Sequence, residues 1–201
     1  MQRELLLVSR REGRTEVHSA NLDHPGAKTL QALVATDLRN HPSTSDADVM
    51  LKQHLRSLGA PLSGVIPARV PASTELETLT RGVALARRDP VVARSLPLCF
   101  WRLRESLDAK ALAHHAGTAE LKHSVAFFLE LTGELGNEGR LRGLAETLRD
   151  KRLTSAREFF QPPPRRTDKS RCFPLGLKWG FEMSMDLASF RSVFQKFAAG
   201  V

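Results

Sequence analysis

Apolar residues recur at the three-to-four spacing of amphipathic helices over most of the chain beyond Ala27. From Ala27 to Asn40, Leu30, Leu33, Val34 and Leu38 share a face. His41-Pro42 ends this stretch, because a residue before proline is driven out of the helical region. A second helix, Asp46 to Leu58, carries Leu51, Leu55 and Leu58, with Ser43 or Ser45 as cap and Gly59-Ala60-Pro61 as its stop. Thr74-Glu75-Leu76-Glu77 is a capping-box pattern ahead of Leu76, Leu79, Val83 and Ala86.

Asp89-Pro90 then opens a helix predicted from Val91 to Leu107, with a break or kink near Pro97. Asp108 caps a short helix that Gly117 ends, and Thr118 opens the most apolar helix of the chain, Ala119 to Thr132. Its Leu121, Val125, Phe128 and Leu129 lie at core spacing, and Phe127 widens that face. Gly133 to Gly139 reads as a turn. Leu141, Leu144 and Leu148 mark a further helix to about Phe160, ended by Pro162-Pro163-Pro164. Beyond Asp186, Leu187, Phe190, Val193, Phe194 and Phe197 share one side of a last helix.

Only the first twenty residues carry a different pattern. Leu5 to Val8 and Arg14 to Ala20, separated by Arg11-Glu12-Gly13, fit a β-hairpin, and a short helix over Glu4 to Arg11 is the alternative. The fold class expected is mainly α: an orthogonal helical bundle or a short helical-repeat-like stack, with a small N-terminal hairpin in the first alternative. No period of 33 to 47 residues recurs. The run Pro61 to Pro71, with three prolines and Gly64, divides an N-terminal lobe (1–60) from a main domain (73–201) through a connection at 61–72.

Composition sharpens this division. All ten Phe and both Trp lie at or after Phe100, and Tyr is absent. Aromatic side chains bury the most area per residue, so the main core is expected in the second half. Two cysteines, Cys99 and Cys172, make no bridge framework and read as reduced thiols of a cytoplasmic protein. Leu5-Leu6-Leu7-Val8 is shorter than the roughly 7 to 15 apolar residues of a signal peptide or the ~20 of a membrane span. No membrane partner is expected.

Charge changes the functional picture most. The formal net charge is +8, and ten cationic residues against four anionic ones between Arg140 and Arg171 account for six of it. The candidates for binding nucleic acid or an acidic protein partner are Arg140, Arg142, Arg149, Lys151, Arg152, Arg165, Arg166, Lys169 and Arg171. A solvated surface is the ordinary alternative. Trp179, Phe181, Met183 and Met185 fall in a stretch without clear period and are the candidates for docking a protein partner, as in an antitoxin-like or scaffold subunit of a hetero-complex.

Catalytic chemistry leaves little local trace. Asp46 and Asp48 have the spacing of a metal-binding carboxylate pair in nucleotidyl transfer. That chemistry needs a strand and a preceding Gly-Ser loop, whereas the pattern here is a helix N-terminus. His114, His115 and His123 offer no pair on one helical face, and hydrolase, kinase and dinucleotide motifs are missing. The expectation is a non-enzymatic binding module without metal or cofactor, a nucleic-acid-associated regulator or accessory subunit.

Overall fold

Thr118 shows how local chemistry builds this molecule. Its hydroxyl accepts the Leu121 amide at 3.2 Å, and Gly117 before it adopts φ 67°, a left-handed conformation that breaks the preceding helix. The structure, a computed structural model, describes residues 7–12, 15–20, 45–63, 75–149, 156–161 and 173–198, with backbone only for 7–20. The chain divides into two units, 1–45 and 46–201.

In the first unit, strands β1 (Leu7–Glu12) and β2 (Thr15–Ala20) pair antiparallel, with Leu7 opposite Ala20 and Glu12 opposite Thr15. The hairpin is therefore formed, and the helical alternative for Glu4 to Arg11 is not. The helix expected over Ala27 to Asn40 lies outside the described residues.

In the second unit the helices are α1 (Asp46–Ser57), α2 (Glu75–Ala86), α3 (Pro90–Arg102), α4 (Ala109–Ala116), α5 (Ala119–Leu135), α6 (Gly139–Thr147), α7 (Pro174–Lys178) and α8 (Leu187–Phe197). Two residues each of β3 (Arg157–Glu158) and β4 (Phe181–Glu182) pair in parallel. The result is a helical bundle. No helix among the described residues is long and apolar enough to cross a membrane.

Helix α5 is central because it is apolar almost all round, and every residue from His123 to Gly133 is buried. Phe127 and Phe128 anchor an aromatic core. Phe127 lies 5.0 Å from Phe128, 5.9 Å from Phe159 and Phe173, 6.3 Å from Phe190 and 6.5 Å from Phe181 between ring centroids. Most of these pairs are edge-to-face, the arrangement that the ring quadrupole favours. The second-half core expected from composition is thus an aromatic one gathered on α5.

Several boundaries differ from expectation for identifiable reasons. Helix α1 belongs to the bundle and not to an N-terminal lobe, so the division precedes it at residue 46 and does not fall at 61–72. Its Leu51, Leu55 and Leu58 join the core of α2 and α3. Gly82 permits this approach, since a Cβ there would stand 2.7 Å from Leu55 Cδ2. Helix α3 runs on through Pro97 and stops at Arg102. Helix α5 continues through Gly133 to Leu135, where a Cβ at Gly133 would meet Arg142 Cγ and the Glu138 carbonyl oxygen, each at 2.8 Å. Helix α6 ends at Thr147, well short of Phe160.

Phe159 and Phe160 instead follow a strand that a single guanidinium fastens. Arg87 donates from Nε to the Phe159 carbonyl at 3.1 Å and from Nη2 to the Glu158 carbonyl at 3.4 Å, and it pairs with Glu120. The Gln161 amide returns a bond to the Arg87 carbonyl at 2.7 Å. Arg87 also lies 5.8 Å from the Phe181 ring centroid, so one side chain ties α2 to α5 and both short strands.

Candidate functional site

Among the basic residues of the 140–171 tract, the described members are Arg140, Arg142, Arg149 and Arg157. Lys151, Arg152, Arg165, Arg166, Lys169 and Arg171 lie outside the described residues. Arg140 reaches the carbonyl oxygens of Arg104 and Leu107 beyond α3 and lies 3.8 Å from Glu105. Carbonyls beyond a helix end have no internal donor, and a guanidinium supplies one. Arg149 pairs with Glu146 at 3.2 Å and covers the Trp179 ring at 5.1 Å. Arg157 stands 3.8 Å from Glu120. Arg142 is exposed and makes no ion pair among the described residues, its stem lying across Gly133.

The apolar stretch expected as a docking surface is not on the surface. Trp179, Phe181 and Met183 are buried, and Met185 packs half-buried against them. Helix α7 and strand β4 are too short to display a period, yet they fold inward onto α5. The indole of Trp179 donates to Glu130 Oε2 at 2.7 Å, and Lys178 donates to Glu130 Oε1 at 2.5 Å while reaching Glu146 Oε1 at 2.7 Å. The buried Glu130 carboxylate is therefore satisfied on both oxygens, as a charge in a core must be.

This network moves two proton affinities. Burial opposes the Lys178 charge, but hydrogen bonds and attraction from Glu130 and Glu146 outweigh it and raise its pKa. The Lys178 hydrogen bond holds Glu146 below the ordinary carboxylate range. These groups join α5, α6 and α7, a structural use of charge.

Asp46 and Asp48 occupy the first turn of α1, and Asp48 Oδ1 accepts from Arg88 Nη2 at 2.7 Å. The helix removes the strand geometry on which nucleotidyl transfer by this pair would depend. His114 and His115 touch each other at 5.7 Å, whereas His123 is buried with Nδ1 3.3 Å from the Trp179 carbonyl. Among the described residues no three His, Cys, Asp or Glu side chains gather as a metal site. Cys99 is buried, burial pushes its thiol up to about 12, and its Sγ lies 3.5 Å from the Leu55 carbonyl. A thiol held protonated is a poor nucleophile.

One hollow was not anticipated. Arg88, Pro90, Arg94, Phe160, Ser184 and Met185 surround about 340 Å³ of space between the start of α3 and the start of α8. Its residues come from three separated segments, so no local motif announces it. A second hollow of equal size lies beside Glu130 and Lys178, whose charges already satisfy one another.

Fold and surface together define a basic helical bundle without a recognisable catalytic constellation among the described residues. Comparison with protein-family models, curated proteins and solved structures returns no match.

Proposed function

We propose that the chain is a non-enzymatic binding module that engages nucleic acid through the basic residues of the 140–171 tract. The observation carrying this reading is the concentration of charge, six of the eight net positive charges falling within that one tract. The ion pairs within it are no obstacle. The side chains of Arg140, Arg149 and Arg157 remain 46%, 43% and 55% exposed. Pairs this exposed contribute only about 0–1 kcal/mol each, so a phosphate can replace the carboxylate at little cost.

The test is fluorescence anisotropy with mixed-sequence DNA and RNA of equal length over a rising salt series. Binding at low salt is expected, with log K falling linearly against log salt by about 0.9 for each duplex phosphate neutralised. Charge reversal at Arg142, Arg149, Arg152 and Arg165 should weaken binding to every sequence alike and flatten the slope. Absence of binding at low salt, or indifference to those four reversals, overturns the proposal. Cytoplasmic location and a regulatory or accessory role belong to the same reading.

A further inference from the structure

The hollow between α3 and α8 is lined by two arginines, Arg88 and Arg94, whose donors are only partly used among the described residues. Arg94 makes one hydrogen bond, from Nε to the Pro90 carbonyl of its own helix at 3.3 Å, and its terminal nitrogens have no partner among the described residues. Arg88 spends Nη2 on Asp48, and its other nitrogens make no hydrogen bond among the described residues. The Ser184 hydroxyl makes no hydrogen bond among the described residues. Pro90 and Ser189 bring the first turns of two helices to the wall, each start already capped by its own aspartate, Asp89 and Asp186.

The carboxylates around the hollow already have donors. Asp48 holds Arg88, Asp89 accepts from the Val91 and Val92 amides and from Lys52 at 2.7 Å, and Asp186 accepts from the Ser189 amide and hydroxyl at 2.9 and 2.6 Å. Phe160, Met185 and Pro90 supply an apolar wall beside the two guanidinium groups. The volume, about 340 Å³, falls at the small end of ordinary ligand pockets, which are lined mostly by apolar groups with a few converging polar ones.

We propose that this hollow binds a small oxyanion-bearing ligand, a carboxylate or phosphate carried on an apolar body. The oxyanion lies between Arg88 and Arg94, with the Ser184 hydroxyl donating to it, and the apolar body covers Phe160 and Met185. The planar fork of a guanidinium matches both oxyanions in two parallel hydrogen bonds, so the two ligand types share one recognition. The guanidinium groups of this site are distinct from those of the nucleic-acid tract, since Arg88 and Arg94 lie outside residues 140–171, which contribute only Phe160 to its wall.

Titration of the full ¹⁵N-labelled chain with benzoate, phenyl phosphate, inorganic phosphate and benzylammonium tests it. Benzoate and phenyl phosphate should shift the Ser184, Met185 and Ser189 amides saturably, whichever binds more tightly naming the natural oxyanion. Inorganic phosphate should bind more weakly than phenyl phosphate, and benzylammonium should leave those amides in place. Arg94→Gln should raise the Kd for the better ligand by about ten-fold or more, the loss of one charge-assisted hydrogen bond, with an unchanged circular dichroism spectrum. Arg88→Gln should do the same and serves if Arg94→Gln fails to fold. Equal shifts with benzylammonium, no saturable shift with either aromatic anion, or an unchanged Kd in the folded variant overturns the proposal. DNA affinity that survives Arg94→Gln keeps the two sites distinct.

Discussion

Replacing Phe127 with alanine removes the ring that five other phenylalanines touch, four of them from the region after Arg157. Phe127 is fully buried, and truncating such a side chain costs about 3–5 kcal/mol from lost transfer energy and the cavity left behind. Aromatic pairs contribute about 0.5–1.5 kcal/mol each beyond area burial, so losing five places this variant at the top of the range. Against a typical total of about 5–15 kcal/mol, the change takes a large share. In urea unfolding, the midpoint should fall steeply for Phe127→Ala and by less for Phe127→Leu, which keeps apolar bulk and loses the ring edges. Phe197→Ala is the control: its ring is 37% exposed, and it should cost less than about 1 kcal/mol. Helical circular dichroism and Trp179 fluorescence, followed in a Trp101→Phe background, should report one transition. A loss below about 1 kcal/mol for Phe127→Ala, or one equal to that of Phe197→Ala, would falsify the view that this ring joins the late segments to α5.

Further outcomes follow from individual contacts. Gly136→Ala would place a Cβ 2.2 Å from Trp101 Cζ3, and the displaced indole would lose its edge contact with Phe194, so a destabilisation of about 1–3 kcal/mol should appear in thermal melts. Trp179→Phe removes the indole donor from buried Glu130 and should cost about 1.5–3 kcal/mol by chemical denaturation. Burial resists the Asp89 charge, but the bonds from Lys52, Val92 and Val91 outweigh it and lower its pKa. Its contribution is therefore complete above the unfolded value near ~3.9 and is lost as pH falls through the lower folded value. Asp89→Ala should cost about 0.5–2 kcal/mol at pH 7, and the gap to the parent chain should close in unfolding curves taken below that window. Cys99, fully buried with its thiol near 12, should resist iodoacetamide in the native chain and react at the unfolded rate in urea; rapid native alkylation would contradict its placement.

Features set within a few residues were readable in advance. Asp89, Asp108, Thr118 and Asp186 cap their helices with side-chain bonds to amides two or three positions on, so residue type and spacing sufficed. Gly133 misled because its role depends on Arg142 and Glu138, which crowd it from the next helix. Phe159 and Phe160 looked helical because their actual conformation rests on pairing with Phe181–Glu182 and on Arg87, more than seventy residues earlier. Trp179, Phe181 and Met183 read as surface in the sequence because a five-residue helix and a two-residue strand show no periodicity, whatever their burial. The hollow at Arg88 and Arg94 was invisible for a similar reason, since Phe160 and Ser184 reach it only after folding.

The aromatic gathering on α5 also orders events in time. A ribosome adding about 5–20 residues per second needs roughly 3–13 seconds to travel from Phe127 to Phe190. At the start of that interval the most apolar of the described helices has α2, α3 and α4 as its neighbours, and these bring a single phenylalanine, Phe100, to stack on Phe128. The nascent bundle is thus a half-closed shell awaiting its other wall, and its exposure to chaperones and to aggregation is set by the pace of translation between α6 and α8.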